Sequence, residues 1–255
     1  MKFSVKPQLL KCITLAAGGA GLALRAILYA TGTDEKGLLI TGHWAGISLI
    51  VLTLAVVAGL FILTRPIKGP EEYPDAFPVS IWGGAGALAA GLCALISAVT
   101  GFSAATDTIG LLVQILGLIA GAGLILTGLC RSLGAKPNFL LHTALCLYFA
   151  VRMISQYRSW SSDPQLMDYC FYLCAFVCLM LTAYQFAAFD AGFGSHRSLW
   201  FTGLLGVYFC CLSLSGPQDV IFILACGIWA FTNLTSLSVR PRRKRPTLRL
   251  DQEEA

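Results

Sequence analysis

The sequence predicts an all-α, polytopic integral membrane protein, and three observations predict it. Of 255 residues, 56% are hydrophobic and 12% charged, whereas soluble domains carry about 25% charged residues. Mean hydropathy is +0.74. Eight stretches approach the roughly 20 apolar residues that a helix needs to cross about 30 Å of hydrocarbon. Lipid offers no partner to an unpaired backbone amide, so helices and closed barrels are the available solutions. A barrel wants strands of about ten residues with alternating polarity, and runs such as Leu111 to Cys130 are apolar on every side.

The first stretch, residues 9–30, follows Lys2, Lys6 and Lys11. A basic start before an apolar run is also the pattern of a secretory leader. Here the run continues past Arg25 to Tyr29 without a persuasive small-x-small cleavage site, so it reads as a retained helix. The second, 38–64, follows the polar break Thr33-Asp34-Glu35-Lys36. The third, 79–100, follows a connection with Pro66, Pro70, Pro74 and Pro78. The remaining five are 108–130, 138–157, 166–189, 198–215 and 219–239. They are separated by segments rich in the Gly, Pro, Ser and Asp that punctuate chains. Residues 240–255 read as a disordered tail, basic through Arg240, Arg242, Arg243, Lys244 and Arg245, then acidic.

Orientation follows from Lys and Arg, which cytoplasmic loops retain. With the amino terminus inside, fourteen of the eighteen basic residues fall on the inner side, leaving Arg25, Lys36, Arg152 and Arg158. The expectation is a cytoplasmic-membrane protein with both termini in the cytoplasm. A basic patch such as Arg240 to Arg245 also occurs in nucleic-acid binders. Directly after a membrane helix it reads instead as an anchor on an anionic lipid surface, and no nucleic-acid partner is expected.

The two halves look like copies. Arg25 aligns with Arg152, Tyr29 with Tyr157, Asp34 with Asp163, Ser80-Ile81-Trp82 with Ser198-Leu199-Trp200, and Asp107-Thr108-Ile109 with Asp219-Val220-Ile221. The sequence therefore predicts two tandem four-helix repeats, residues 1–130 and 138–239. An even number of helices gives both the same topology, as in parallel-repeat transporters. The first copy is glycine-rich, with Gly42/Gly46 and Gly117/Gly121 at the spacing that lets helices approach closely. The second is rich in Cys, Phe, Tyr and Trp, so small faces of one copy can receive bulky faces of the other.

Ionisable residues inside a membrane helix cost about 2.5–3.5 kcal/mol each on insertion scales, and they mark a cavity, a partner or the interface. Arg25 and Arg152 are the leading cases, with outer-side acids Asp34, Asp107, Asp163, Asp168 and Asp219 as candidate partners. The functional reading is a polar pocket between the repeats, lined by Arg25, Tyr29, His43 and Trp44 from one and by Arg152, Tyr157, Asp168 and Tyr169 from the other. Two planar guanidinium forks suit an anionic solute or lipid. The structural alternative pairs Arg152 with Asp168 and lets Arg25 reach headgroups or Asp34.

His43, His142 and His196 fall at different depths and form no predicted metal or haem site. All ten cysteines lie in apolar runs. Cys170, Cys174 and Cys178 share one helix face, a pattern of core packing more than of soft-metal binding. No phosphate-cradling loop, nucleophile elbow or paired catalytic carboxylates appear. The sequence thus predicts neither an enzyme nor a cofactor. It predicts a binder or transporter of a small solute, with a scaffold or subunit of a larger membrane complex as the other class.

Overall fold

The computed structural model describes residues 7–34, 39–40, 42–67, 69–70, 73–104, 107–160, 166–216 and 219–238, with the side chains of 166–168 excepted. Asp163, the Asp168 side chain, Lys2, Lys6 and the tail 240–255 lie outside the described residues. Those residues form nine α-helices: α1 Pro7–Thr31, α2 Trp44–Leu63, α3 Tyr73–Ala76, α4 Ile81–Gly101, α5 Thr108–Leu133, α6 Phe139–Trp160, α7 Leu166–Asp190, α8 His196–Ser213 and α9 Val220–Ser236. Apart from the four-residue α3, they occupy the eight predicted stretches. Six are long and apolar enough to cross a membrane, namely α1, α2, α4, α5, α6 and α7 from Tyr169 onward. The helices α8 and α9 are shorter, at 18 and 17 residues. This architecture fits a multi-pass helical membrane protein.

Helix ends are set locally. The Ser80 hydroxyl accepts from the Gly83 amide (3.1 Å) to start α4, and the Asp107 carboxylate accepts from Gly110 (3.0 Å) to start α5. Gly134, at φ 75°, ends α5 in the left-handed conformation, so that the Gly134 and Ala135 amides both return to the Cys130 carbonyl. That cap extends α5 past the expected end at 130 and carries Arg131 into its last turn.

Helices α4 to α9 form a closed ring in chain order, with α9 returning to α4 and α7 also touching α9 across it. The pair α1–α2 lies outside the ring against α8. Fourteen of the eighteen α8 residues are buried, because α1, α2, α7 and α9 cover it. The helices of the two sequence halves interleave: α1 packs on α8, α4 on α9 and α5 on α6. At two of these seams a glycine of the first half faces a bulkier residue of the second, Gly18 under Cys211 and Gly21 under Leu212 on α1–α8, and Gly86 under Thr232 on α4–α9.

The tightest seam joins α4 to α5. A Cβ at Gly84 or at Gly128 meets the other's carbonyl oxygen at 2.8 Å, and Gly91 and Gly121 are opposed in the same way at 2.8 and 3.0 Å. The operative spacing is thus seven residues on each helix, an antiparallel glycine seam. Gly42 does a different job from the expected helix packing: it sits in the turn before α2 at φ 84°, with open space where a Cβ would stand.

Aromatic rings fill the centre of the ring of helices. Phe149, Phe176 and Phe222 pack together with centroids 5.8–6.5 Å apart. Below them Trp229, Phe186, Phe77 and Phe189 follow at 5.3–5.6 Å. The face from which α1 departs and at which α9 ends, here the proximal face, is crossed by the proline-rich connection from α2 to α4. Its Ile67, Tyr73, Ala76 and Phe77 are buried. His196 Nε2–H donates to the Pro70 carbonyl (2.6 Å), and the Ser238 amide donates to Ala76 (2.8 Å). Exposed Trp82 and Phe193 at this face, and Trp44 and Tyr157 at the distal one, match the aromatic belts of membrane interfaces.

Gly121→Val is expected to destabilise the detergent-solubilised protein by about 1–3 kcal/mol, since α4 and α5 must separate to admit it. Gly19→Ala, with nothing within 4 Å of its Cβ, is expected to be neutral or stabilising by up to about 1 kcal/mol. Thermal unfolding of both variants in one detergent checks the contrast.

Candidate functional site

Arg152 is the most elaborately held charge in the distal half. It lies on α6 and is 4% exposed. One terminal nitrogen donates to the Tyr148 hydroxyl, one turn back on α6, and to the Ser97 hydroxyl on α4 (3.3 Å). The other donates to the carboxylate of Asp219, at the start of α9. Its flat face lies over the Phe222 ring at 4.4 Å. Such pairing is what a guanidinium in an apolar bundle requires, because an unpaired one has no water to fall back on.

Asp219 shows what this arrangement costs the backbone. It stands at the N-cap position of α9 but makes no side-chain cap, and its φ of 20° is the only positive value at a non-glycine among the described residues. Its carboxylate is turned to Arg152 instead of the helix amides. Strain of this kind persists where the surroundings over-determine it, and it concentrates at functional sites. The aligned residue Asp107 behaves conventionally, capping α5 and reaching Arg158 at 3.6 Å across an exposed pair.

The pair lines a crevice of about 220 Å³ open at the distal face. Ser97, Thr100 and Gln114 come from the first half of the chain, and Arg152, Gln156 and Asp219 from the second. A second crevice of about 470 Å³ shares Ser97, Thr100 and Asp219 and continues over Ile96, Ile221 and Phe222. Ile96 and Ile221 are exposed, so this extension opens sideways between α4 and α9 onto the apolar perimeter.

The other predicted residues go elsewhere. Arg25 is buried on α1, donates to the Leu212 carbonyl at the end of α8 (2.7 Å) and to the Tyr29 hydroxyl (2.9 Å), and lies 5.3 Å over Phe171 of α7. A cation there complements the negative end of α8. Phe171 and the Arg152-facing Phe176 are both on α7, which thus stands between the two arginines. His43 caps α2, its Nδ1 accepting from the Ala45 amide (3.3 Å). Trp44 and Tyr157 are exposed at helix ends. Tyr169 stacks on Trp160 at 4.1 Å. Of the expected set, then, Arg152 alone is seen in the crevice, while Arg25 and Tyr29 bond to each other at a separate place. The described carboxylate partner of Arg152 is Asp219, one of the candidate acids, whereas the Asp168 side chain lies outside the described residues.

A second polar layer, not foreseen from sequence, lies at the proximal face. His142 Nδ1 and the Asp190 carboxylate are 2.6 Å apart, with side chains 5% and 0% exposed. Arg131 is 5% exposed and sandwiched over Phe77 (4.1 Å) and Phe186 (5.6 Å), donating to the Ser236 hydroxyl (3.1 Å). The signal for Arg131 was Gly134, a helix-ending residue that moves it from loop to helix. For Ser97, Thr100 and Gln114 the signal was their common position near the distal ends of α4 and α5. No family model matches the chain, and no curated protein or solved structure matches it.

Breaking the His142–Asp190 pair from one side strands a buried polar group, so His142→Leu is expected to cost about 3–5 kcal/mol. Replacing both (His142→Leu with Asp190→Leu) is expected to recover most of that loss. A double-mutant cycle by thermal or denaturant unfolding in detergent checks it, and additive losses would contradict a mutual pair.

Proposed function

We propose that this chain is a multi-pass membrane protein that binds a small polar solute bearing an anionic group in the distal crevice between the two halves of its sequence. The observation that carries this reading is the Arg152–Asp219 pair: a buried guanidinium at the wall of a polar crevice, held by a carboxylate on a strained backbone. Asp219 serves as a tethered stand-in for the solute. An incoming anionic group takes its place on Arg152, and Asp219 is released to relax toward the capping role that Asp107 already plays on α5. Ser97, Thr100, Gln114 and Gln156 supply the remaining hydrogen bonds. Among the described residues the crevice has one guanidinium and one carboxylate, already committed to each other, so the site is proposed to bind without transforming its ligand.

Below the crevice the rings of Phe149, Phe176 and Phe222 close the bundle. Passage to the proximal face therefore requires these rings to move, and the same site serves a transporter or a sensor. The orientation with both termini in the cytoplasm, and the count of eight crossings, belong to this proposal. The scaffold reading would use exposed apolar helix faces such as those of α2, α4 and α5, which lipid covers equally well.

The test is thermal stabilisation of the purified protein by a panel of small carboxylates. The wild type is expected to respond to at least one member. Gln114→Leu is expected to weaken that response about tenfold, the worth of a hydrogen bond to a charged group. Asp219→Asn, which removes the internal competitor, is expected to strengthen it. Loss of the response in Asp219→Asn would instead make Asp219 a direct ligand and overturn the displacement scheme, and no response to any carboxylate would overturn the anion reading.

A further inference from the structure

The proximal face holds a second cavity, of about 220 Å³, lined by Tyr73 and Phe77 of the proline-rich connection, Val79, and Arg131, Gly134 and Lys136 at the end of α5. Its polar groups have unused capacity. Among the described residues the Arg131 side chain makes a single hydrogen bond, to Ser236, for its five N–H donors, and its Nε has no partner there. No carboxylate among the described residues lies within ion-pair distance of it: Asp190 is bonded to His142 and acts on Arg131 only from farther away. The Tyr73 hydroxyl makes no hydrogen bond among the described residues although the residue is 6% exposed. Burial, opposed by the nearby Arg131 guanidinium, pushes Tyr73 up to about 12, so its hydroxyl is a neutral donor at physiological pH. Lys136 adds a second positive charge, and no acid among the described residues lines the cavity.

The cavity thus collects two cations and a hydroxyl donor, with no counter-charge among the described residues of its walls. Its wall includes Val79, largely exposed and apolar, beside the charged Lys136, which suits the boundary between hydrocarbon and polar surface. Arg65 and Arg197 lie on the same face, at the end of α2 and the start of α8, and the sequence after α9 continues into Arg240, Arg242, Arg243, Lys244 and Arg245. Basic clusters at this position draw anionic lipid to the surface.

We infer that this cavity is a phosphate site, in which Arg131, Lys136 and Tyr73 hold the phosphate of an anionic lipid headgroup or a free phosphate. The guanidinium offers its unused donors to the non-bridging oxygens, Lys136 acts as a point charge, and the tyrosine hydroxyl donates a third bond. The lipid source places its acyl chains beside Val79.

The test uses the full chain in a maltoside detergent, which brings no phosphate of its own. Thermal stabilisation is titrated with short-chain phosphatidylglycerol, with glycerol phosphate and with inorganic phosphate. A response to the lipid alone assigns the site to a headgroup, and a response to all three assigns it to phosphate as such. Tyr73→Phe and Lys136→Gln keep the fold because one removes a lone oxygen and the other changes an exposed side chain. Each is expected to raise the half-saturating concentration about tenfold. Silence toward all three probes would overturn the inference, as would a response that both variants leave unchanged. Gln114→Leu, in the distal crevice, is expected to leave the phosphate response intact, which separates this site from the one proposed there.

Discussion

Everything in this molecule is arranged around the difficulty of keeping a guanidinium group in a place without water. An apolar bundle offers no alternative partner, so each buried arginine is found where a second helix ends or begins. Arg25 meets the last carbonyls of α8, Arg152 meets Asp219 at the start of α9 and Ser97 near the end of α4, and Arg131 meets Ser236 at the end of α9. Helix ends are the one part of a membrane helix with unspent backbone groups and a net partial charge. Placing the charges there ties the ends together and leaves the middle to apolar packing.

Two polar layers separated by a packed aromatic interior follow from that. In the interior, the glycine seam of α4 and α5 draws two backbones into contact, which is how helices associate when lipid removes the usual hydrophobic drive. Helices α6, α7 and α9 meet through large rings, from Phe149 and Phe176 down to Phe186 and Trp229. Each polar layer encloses a cavity, and the two differ in charge. The distal one is balanced by Asp219, whereas the proximal one has no acid among the described residues of its walls. That difference is why a displacement scheme fits the first and direct capture of phosphate the second.

The fold was legible in the sequence because lipid imposes a length and a composition on every crossing element. All eight apolar stretches contain a helix, six of them long and apolar enough to cross a membrane, and their polar breaks supply the caps Ser80, Asp107 and Gly134. What stayed hidden was adjacency. Nothing in the apolar pattern says that α1 and α2 pack outside against α8, or that α4 closes the ring on α9. The seven-residue glycine spacing was likewise outweighed by the more familiar four-residue one. The site was half legible. Arg152 stood out because a charge in an apolar run is costly. Its neighbours Ser97, Thr100 and Gln114 did not, because small polar side chains are cheap there and look alike whether they pack or bind. Asp219 looked like a helix start equivalent to Asp107, and only its backbone shows that it was diverted.

The most direct test of this account is hydroxyl-radical footprinting of the protein in a lipid nanodisc, read residue by residue by mass spectrometry. Radicals form in water and modify aromatic side chains that water reaches. With a packed interior dividing the two layers, Phe149, Phe176 and Trp229 stay unmodified while Tyr157 at the distal face and Phe193 at the proximal face, both exposed, are labelled. Labelling of Phe176 or Phe149 comparable to that of Tyr157 would reveal a wet passage through the ring and contradict the division on which the account rests.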